Sequence, residues 1–366
     1  NFIPIVTDIR DKNRMNALFG EHRPDIVFHA AAYKHVPLME YNSYEAIKIN
    51  IGGSKNVADL SILHGVEKVV FVSTDKAVNP TNVMGATKRI AEMYASCLRN
   101  KGKTKFITTR FGNVLGSNGS VIPIFKRQIK SGGPLTVTHK EITRYFMTIP
   151  EACQLVLEAG AMGNGGEIYV FDMGDSIKIF DLALNMIQLS GLKYPEEMDI
   201  KITGLRPGEK IYEELLANGE NTLPTYNNKI MIAKVRDFEE AKIKNQILGL
   251  CELSKSCDNE QIVFALKQIV PEFKSENSTF EKLDVKMRKI VWTVKFILDS
   301  LVALIVVIFI LPWLTLFLLI IMLITTGERP FYFQTRIDRG GLPFKTYKFR
   351  TLCGKLLTNY PLTVYG

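Results

Sequence analysis

The sequence has few cysteines, and none of them stands in a paired motif. Five occur in 366 residues, at positions 97, 153, 251, 257 and 353, without a CxxC pair. An odd number at this spacing favours neither a disulfide framework nor a zinc site, so we expect a reducing compartment and no bound metal. The sequence also lacks a signal-peptide pattern at its start, an internal repeat and a glycine-rich GxGxxG turn.

Basic charge is in excess, but it is not gathered into a stretch that would suit nucleic acid. The formal net charge is +9, and the densest basic group is Lys286, Arg288 and Lys289, directly before a long apolar run. Basic residues beside an apolar segment favour the cytoplasmic side of a membrane and its anionic lipids. We therefore expect contact with a membrane surface and none with nucleic acid.

Short strand patterns alternate with helical patterns up to about residue 115. The predicted strands are residues 2–6, 25–28, 68–72 and 105–109, and the predicted helices include residues 44–64 and 85–100. This alternation is typical of an α/β fold with a doubly wound, Rossmann-type parallel sheet. Ligands of such sheets lie beyond the carboxyl ends of the strands.

The pattern changes twice before the apolar run. Residues 116–225 have shorter elements with glycine and proline punctuation, which suits a small substrate-binding lobe. Residues 226–285 are rich in Lys, Glu and Asp with few aromatics, which predicts a solvated helical linker.

The apolar run is the strongest physical signal in the sequence. Residues 300–324 carry no charge, and this length exceeds the roughly 20 residues that span a bilayer. Pro312 lies near the middle, where it removes a helical hydrogen bond, and both flanks are basic. We expect a re-entrant helical hairpin over residues 290–326 with both ends on the cytoplasmic face, and a simple span is the alternative.

Chemically useful side chains follow the predicted strand 68–72. Thr74, Asp75 and Lys76 would emerge at its carboxyl edge. Met84 and Lys88 stand four residues apart, which places them on one face of a helix. A turn with one solvated lysine would explain any of these residues alone, but not the whole string at this spacing.

At this string the chain resembles the extended short-chain dehydrogenase/reductases. Within them it is similar to the CapD-like polysaccharide biosynthesis proteins, which are UDP-N-acetylglucosamine 4,6-dehydratases and related epimerases. The resemblance is carried by these motifs: TDIRD at 7–11, FHAAAYKHVPLME at 28–40, NIGGSKNV at 50–57, VSTDKAVNPTNVMGATKR at 72–89, RFGNVLGSNGSVIP at 110–123, TRYFMT at 143–148 and LRPGEK at 205–210. It implies a dehydratase domain over residues 1–225, with a Rossmann part at 1–115 that lacks its first βαβ unit.

The resemblance also implies binding roles, with NAD as the cofactor and NADP as an open alternative. The implied cofactor-binding residues are Asp8, Ile9, Ala30, Ala31, Ala32, Asn50, Ser73 and Lys88. The implied substrate-binding residues are Lys34, Asn113, Arg144 and Arg206. A turn for Asp8, core packing for the alanines and surface ion pairs for the arginines are the plain alternatives.

The implied reaction has three steps: a hydride leaves C4 of the sugar for NAD, water is eliminated across C5 and C6, and the hydride returns to C6. The implied catalytic residues are Thr74, Asp75, Lys76, Met84 and Lys88. Lys76 suits the C5 base if its pKa is lowered, and Asp75 suits the acid if its pKa is raised. Met84 stands where the wider superfamily has tyrosine, and a thioether is no base, so Thr74 or Asp75 would have to take the C4 hydroxyl proton, directly or through water.

Residues 286–366 carry a second resemblance, to the opening of bacterial sugar transferases that attach a phosphosugar to a polyprenyl phosphate. The string TTGERPFYFQTRIDRGGLPFKTYKFRTL places Arg336, Lys348 and Arg350 where they would suit phosphate groups. Asp338 replaces the usual glycine, and no Asp-Glu pair follows KFRT. We therefore expect no transferase activity from this chain.

These features together predict an NAD-dependent UDP-sugar 4,6-dehydratase on the bacterial cytoplasmic membrane, facing the cytoplasm. Expected partners are a UDP-sugar, membrane lipid, polyprenyl phosphate as a further candidate, and a second copy of the chain in a homo-oligomer. A UDP-sugar epimerase of the same fold and an inactive membrane-anchored fragment are the alternatives.

Overall fold

A computed structural model of the chain describes residues 2–99, 102–216, 221–233, 238–325, 331–337 and 343–349. The chain divides into two compact units, Asn1–Lys286 and Met287–Gly366. Each unit is described by itself.

Helices make up much of the described chain. Their bounds are α1 Lys12–His22, α2 Val36–Tyr41, α3 Ser43–Ala46, α4 Ser54–Leu63, α5 Val83–Cys97, α6 Val121–Lys130, α7 Ile149–Met162, α8 Ile179–Leu189, α9 Glu240–Leu253, α10 Asn259–Ile269, α11 Glu281–Ile305 and α12 Leu311–Thr325. π-Helical segments lie at Ile47–Gly53 and Val306–Ile310, and 3-10 turns lie at Asp75–Ala77 and Ser254–Ser256.

The strands are short and belong to several sheets. Their bounds are β1 Ile26–His29, β2 Lys68–Val72, β3 Lys105–Arg110, β4 Asn113–Val114, β5 Leu135–Val137, β6 Thr143–Arg144, β7 Phe146–Met147, β8 Ile168–Phe171, β9 Ile177–Lys178, β10 Ile200–Ile202, β11 Thr222–Pro224, β12 Ile230–Ala233, β13 Phe331–Ile337 and β14 Pro343–Phe349.

A six-stranded sheet in the order β1-β2-β3-β8-β12-β11 forms the centre of the first unit. The first four strands are parallel, and β12 and β11 add antiparallel edges. The predicted parallel α/β sheet is confirmed. The predicted strands 25–28, 68–72 and 105–109 agree with β1, β2 and β3 to within one residue.

The central strands are apolar on both faces because helices cover both sides of the sheet. Val69 and Phe71 pack into one core with α4, α5, α9 and α10, while Val70 packs into a second core with α7. Successive side chains of a strand point to opposite faces, so β2 contributes to both cores in alternation.

One predicted strand is wrong. Residues 2–6 form no strand, and Phe2 and Val6 are 92% and 100% exposed. A β-strand persists only when its backbone pairs with a neighbour, and within the described residues this segment has no pairing strand. The apolar run of residues 2–6 predicted a strand, but an apolar composition alone does not supply the neighbouring strand that pairing requires.

The solvated linker predicted for residues 226–285 is also wrong. Helices occur there as expected, but Ile243, Ile247 and Leu250 of α9 are buried in the same core as β2. Residues three and four apart share one helix face, and this apolar face is narrow enough to be masked by the charged residues around it.

A small lobe packs around its own core. The β5–β10 pair and the helices α6 and α8 enclose Phe125, Leu135 and Ile187 at 0% exposure. Two short pairs, β4 with β7 and β6 with β9, connect this lobe to the end of β3. The exact limits of the domain at residues 115 and 225 stay a prediction.

The second unit contains the apolar helical run. Residues 281–325 remain helical throughout, from α11 through the π-helical segment Val306–Ile310 into α12. Thr293–Leu314 is long and apolar enough to cross a membrane, and its side chains are exposed. The turn before Pro312 is π-helical and helical geometry continues past the proline. The re-entrant path predicted for residues 290–326 stays a prediction. The side of the membrane on which each end lies stays a prediction.

Two antiparallel strands follow this helix. In the β13–β14 pair, Arg336 stands opposite Phe344 and Lys348 opposite Tyr332. The predicted phosphate-binding residue Arg350 and the variant position Asp338 lie outside the described residues.

We expect residues 293–325 to hold the chain in membranes. Val302→Arg combined with Phe309→Arg should move most of the protein from the alkali-resistant membrane fraction to the soluble or degraded fraction, since each Arg at mid-helix costs about 2.5–3.5 kcal/mol. Val302 and Phe309 are exposed in the helix. Leu189→Arg, at a surface leucine that is 87% exposed in the first unit, should leave sedimentation unchanged. Equal sedimentation of all three proteins after carbonate extraction would refute membrane insertion.

Candidate active site

A cavity of about 430 Å³ opens at the carboxyl ends of β1, β2 and β3. Its walls come from the loops after these strands, the first turns of α5, the lobe around β5 and β6, and the segment 206–213. This is the position expected for the ligand site of a parallel α/β sheet. The residues discussed below either line this cavity or hold its walls.

The turn after β2 presents three reactive side chains to one another. Thr74 Oγ1 donates to Asp75 Oδ1 at 2.8 Å, and Lys76 Nζ donates to the same oxygen at 3.0 Å. Thr74 also caps the short 3-10 turn by accepting from the Lys76 amide. The local backbone therefore fixes hydroxyl, carboxylate and ammonium within one small cluster, as the sequence predicted.

Acceptors surround the Lys76 ammonium. Besides Asp75, Asn113 Oδ1 lies at 3.2 Å and Glu213 Oε1 at 3.6 Å from Nζ. Burial lowers the pKa of Lys76, but the carboxylates of Asp75 and Glu213 outweigh it, so the pKa is raised. The condition set for Lys76 as a base, a lowered pKa, is therefore not met in the site as it stands.

Glu213 is a cavity residue that the sequence analysis missed. It is 8% exposed and lines the cavity, and its Oε1 lies 3.7 Å from Arg144 Nε as well as near Lys76. Burial raises its pKa above the ordinary value, against the opposing effect of Lys76. The only sequence signal was its position three residues after LRPGEK, in an ordinary-looking Tyr-Glu-Glu run.

A buried ion pair between Glu92 and Arg110 holds the turn that follows β2. Glu92 accepts from Arg110 Nε at 2.9 Å and Nη2 at 2.7 Å, and from Ser73 Oγ at 2.7 Å. Burial raises the pKa of Glu92, but Arg110 outweighs burial and brings it down to about 2. Ser73, predicted to touch the cofactor, therefore lines the cavity while its hydroxyl is held by Glu92.

The first turns of α5 approach the catalytic turn closely. A Cβ on Gly85 would lie 2.1 Å from the Lys76 carbonyl oxygen, so only glycine fits there. Met84 is buried and lines the cavity, as expected of the residue in the tyrosine position. Asn82 begins the helix by accepting from the Gly85 amide.

Lys88 projects from the next turn of α5 toward the end of β2. Its Nζ donates to the Val72 carbonyl oxygen at 2.6 Å. Burial lowers the pKa of Lys88 to about 8, partly offset by Glu92. The Lys88 ammonium therefore loses its proton more readily than that of an exposed lysine.

The predicted cofactor residues divide into two groups. Ala30 and Ala32 follow β1 and line the cavity. Asp8, Ile9, Ala31 and Asn50 are not part of its lining. Asp8 is exposed, and hydrogen bonds from Arg10 lower its pKa. This arrangement agrees with the alternative given for Asp8 in the sequence, a residue of a turn.

Asn50 has a structural contact instead. It is fully buried on the π-helical segment Ile47–Gly53, accepts from the Tyr33 amide at 2.8 Å and donates to the Tyr33 carbonyl at 3.0 Å. Its amide also donates to Thr87. Asn50 therefore holds the loop after β1 against α5.

All four predicted substrate residues line the cavity: Lys34, Asn113, Arg144 and Arg206. Lys34 Nζ donates to Ser117, and burial lowers the pKa of this lysine. Arg144 donates to the carbonyls of residues 143, 210 and 211, so its guanidinium mainly holds the segment 206–213. Arg206 is largely exposed and forms an ion pair with Glu209 at 3.3 Å, which leaves it accessible to a ligand.

Two families match this chain. Residues 1–235 match the family described as "Polysaccharide biosynthesis protein", and residues 290–359 match the family described as "Bacterial sugar transferase". These matches agree with the two resemblances found in the sequence.

Relatives of the first unit have related but different names. Capsular polysaccharide biosynthesis protein CapD of Staphylococcus aureus is 56% identical over 243 residues, covering 66% of this chain and 40% of that protein. A UDP-glucose 4-epimerase of Rickettsia massiliae is 41% identical over 203 residues, covering 54% and 58%. A UDP-N-acetylglucosamine 4,6-dehydratase (inverting) of Campylobacter jejuni is 39% identical over 222 residues, covering 60% and 63%. The chain thus spans less than two thirds of each of these relatives.

The fold is also similar to a solved structure, that of Pen from Bacillus thuringiensis. The two chains are 36% identical with a TM-score of 0.59, over 67% of this chain and 81% of that chain.

We expect Lys88→Met to stabilise the protein at neutral pH. The pKa of Lys88 falls from 10.5 to about 8 on folding, a cost of about 3 kcal/mol below pH 8 at 1.36 kcal/mol per unit. Stability lost through this lysine returns as pH rises from 8 to 10.5. Urea denaturation in detergent should show the variant more stable by roughly 1–3 kcal/mol at pH 7, after the lost bond to Val72, with the gain shrinking toward pH 10.5.

The exposed Lys130→Met is the matched control and should change stability little at either pH. A Lys88→Met protein less stable than the parent at pH 7, or a gain independent of pH, would contradict the burial of a charged Lys88.

Proposed function

Since the chain belongs to the polysaccharide biosynthesis protein family, we propose that it is an NAD-dependent UDP-N-acetylhexosamine 4,6-dehydratase of surface polysaccharide or glycoconjugate synthesis. The observation that carries the proposal is the contact of the buried Asp75 with Thr74 and Lys76, two residues that line one cavity. An acid and a base held together beside a cavity are what an elimination across two neighbouring carbons requires. The identity to the Campylobacter jejuni dehydratase supports the substrate class.

The cavity wall suits the nicotinamide end of NAD. Ala30 and Ala32 are small enough for close approach, and Lys88 lies beside the last residue of β2. These residues would hold the cofactor, which when bound takes up a hydride and later returns it. Asp8 and Ile9 lie away from the cavity lining, so they add no support for the adenine side or for NAD over NADP.

Thr74 and Asp75 offer a path for the C4 hydroxyl proton, which Met84 cannot take. As the hydride leaves C4, Thr74 passes the hydroxyl proton on to Asp75 through their 2.8 Å hydrogen bond. Asp75 then gives this proton to the C6 hydroxyl, which leaves as water. The proton lost from C4 thus becomes part of the water produced.

Lys76 serves as the C5 base in the same step. In the resting site its ammonium is held by the Asp75 carboxylate. Protonation of Asp75 removes this charge and makes it easier for Lys76 to lose a proton to solvent, since its side chain is 17% exposed. The amine takes the C5 proton, and the resulting ammonium exchanges its protons with solvent. It gives one of these protons to C5 when the hydride reaches C6, and the amine then regains from solvent the proton that it first lost.

We place the site on the cytoplasmic face of the bacterial membrane, where UDP-sugars are made. The apolar helix Thr293–Leu314 and the match to bacterial sugar transferases support association with a membrane. Polyprenyl phosphate as a further partner and a homo-oligomeric state belong to the same proposal.

Incubation of the chain in detergent with NAD and UDP-N-acetylglucosamine, followed by NMR, tests the function. We expect a 4-keto-6-deoxy sugar that carries deuterium at C5 when formed in D₂O. A simple C4 epimer would replace the dehydratase with an epimerase. Failure to bind NAD by calorimetry would favour an inactive membrane-anchored chain.

Lys76→Ala should lower dehydration by roughly 100- to 10,000-fold, with loss of C5 deuterium exchange and unchanged NAD affinity. Lys88→Ala should weaken NAD binding as well, and Lys126→Ala, at an exposed lysine on α6, is the matched control. Equal loss of NAD affinity in the Lys76 and Lys88 variants would overturn the role given to Lys76.

A further inference from the structure

Two buried carboxylate oxygens have no hydrogen-bond partner among the described residues: Oδ2 of Asp75, which lies behind the cavity residues Thr74 and Lys76, and Oε2 of Glu213, which lines the cavity. A buried acceptor without a donor costs about 1–3 kcal/mol. Asp75 is already part of the catalytic cluster, so its free oxygen is expected to meet a reacting hydroxyl. Glu213 has no such role, although its side chain is 4% exposed and lines the same cavity.

The surroundings of Glu213 keep its free oxygen available. Oε1 faces two cations, with Lys76 Nζ at 3.6 Å and Arg144 Nε at 3.7 Å. Lys210 contributes a further positive charge, and Asp75 a negative one. One oxygen is thus committed to charge pairing on the protein side, and the second remains to accept a hydrogen bond.

The segment that carries Glu213 is held in place. Arg144 donates to the Lys210 and Ile211 carbonyls, and Lys210 Nζ donates to the Val78 carbonyl oxygen at 3.1 Å. The backbone that leads to Glu213 is therefore anchored, and its side chain is 4% exposed, so its carboxylate is held beside the cavity and away from solvent. An acceptor that is buried, unpaired and fixed is suited to select a ligand that brings its own donor.

We propose that Glu213 accepts a hydrogen bond from a hydroxyl of the hexose ring and so selects sugars that carry that hydroxyl. The proposal rests on the proposed UDP-sugar function and adds a specificity residue to it. Because Oε1 of Glu213 lies 3.6 Å from Lys76 Nζ, the hydroxyl belongs to the edge of the sugar that reacts. The candidate hydroxyls at this edge of the sugar are those on C3, C4 and C6.

Calorimetry with UDP-N-acetylglucosamine and its 3-deoxy, 4-deoxy and 6-deoxy analogues tests this assignment. In the parent protein we expect one analogue to bind roughly 10- to 100-fold more weakly, as a buried acceptor left unpaired requires. In Glu213→Ala this discrimination should fall at least fivefold for that analogue and stay unchanged for the other two. Glu213→Gln, which keeps an acceptor oxygen, should retain part of it.

Glu214→Gln is the matched control, because the neighbouring Glu214 side chain is 48% exposed and contacts Asn79 and Lys210. Glu214→Gln should leave unchanged the ratio of the affinity for UDP-N-acetylglucosamine to the affinity for each of the three deoxy analogues. If the parent protein discriminates against none of the analogues, or if Glu213→Ala preserves every ratio, the assignment of Glu213 is wrong while the proposed function stands. If the parent protein does not bind UDP-N-acetylglucosamine at all, the proposed function fails and the assignment fails with it.

Discussion

The buried ion pair of Glu92 and Arg110 is the constraint on which the site depends. Arg110 ends β3 and Glu92 lies on α5, both almost without exposure. A buried charge is costly unless it is paired and hydrogen-bonded, and removal of one partner typically costs 3–5 kcal/mol. This pair joins α5 to the sheet, and through Ser73 it also fixes the residue that precedes Thr74. The reactive turn therefore has one position relative to the helix that carries Met84 and Lys88.

This rigid frame places opposite charges where the local sequence gives no warning of them. The Lys76 pKa is raised because two carboxylates, the neighbouring Asp75 and the distant Glu213, outweigh burial, while the Lys88 pKa is lowered because burial outweighs the single carboxylate of Glu92. The pKa values of two lysines twelve positions apart are thus shifted in opposite directions. The difference arises from the number of acids within a few ångströms of each amine, and from that number their separate chemistry follows.

The sequence predicted what depends on local pattern and missed what depends on tertiary contact. The strand at residues 68–72 was placed correctly because a run of β-branched and aromatic residues ends at a polar turn. Glu213 was missed because nothing in its own segment distinguishes it from Glu214, and only the fold brings it to Lys76. The cofactor role of Asp8 stays a prediction, because its carboxylate contacts Arg10 within a turn and lies outside the cavity lining. The helices of residues 240–269 were taken as solvated because their buried positions are few among many charged ones.

Residues 274–276, near the end of the first unit, hold two loops of the candidate active site. The Lys274 and Glu276 amides donate to the carbonyls of Pro80 and Thr81, and the Glu276 carbonyl accepts from the Gly208 amide. Residues 274–276 thus hold both the loop before α5 and the loop that precedes Glu213. Gly208 also contacts Asn82, the N-cap of α5, so closely that no Cβ would fit. The charged segment that was predicted to be a linker therefore holds two walls of the cavity in place. A displacement of this segment would move both the loop before α5 and the loop that precedes Glu213, and both loops lie near Lys76.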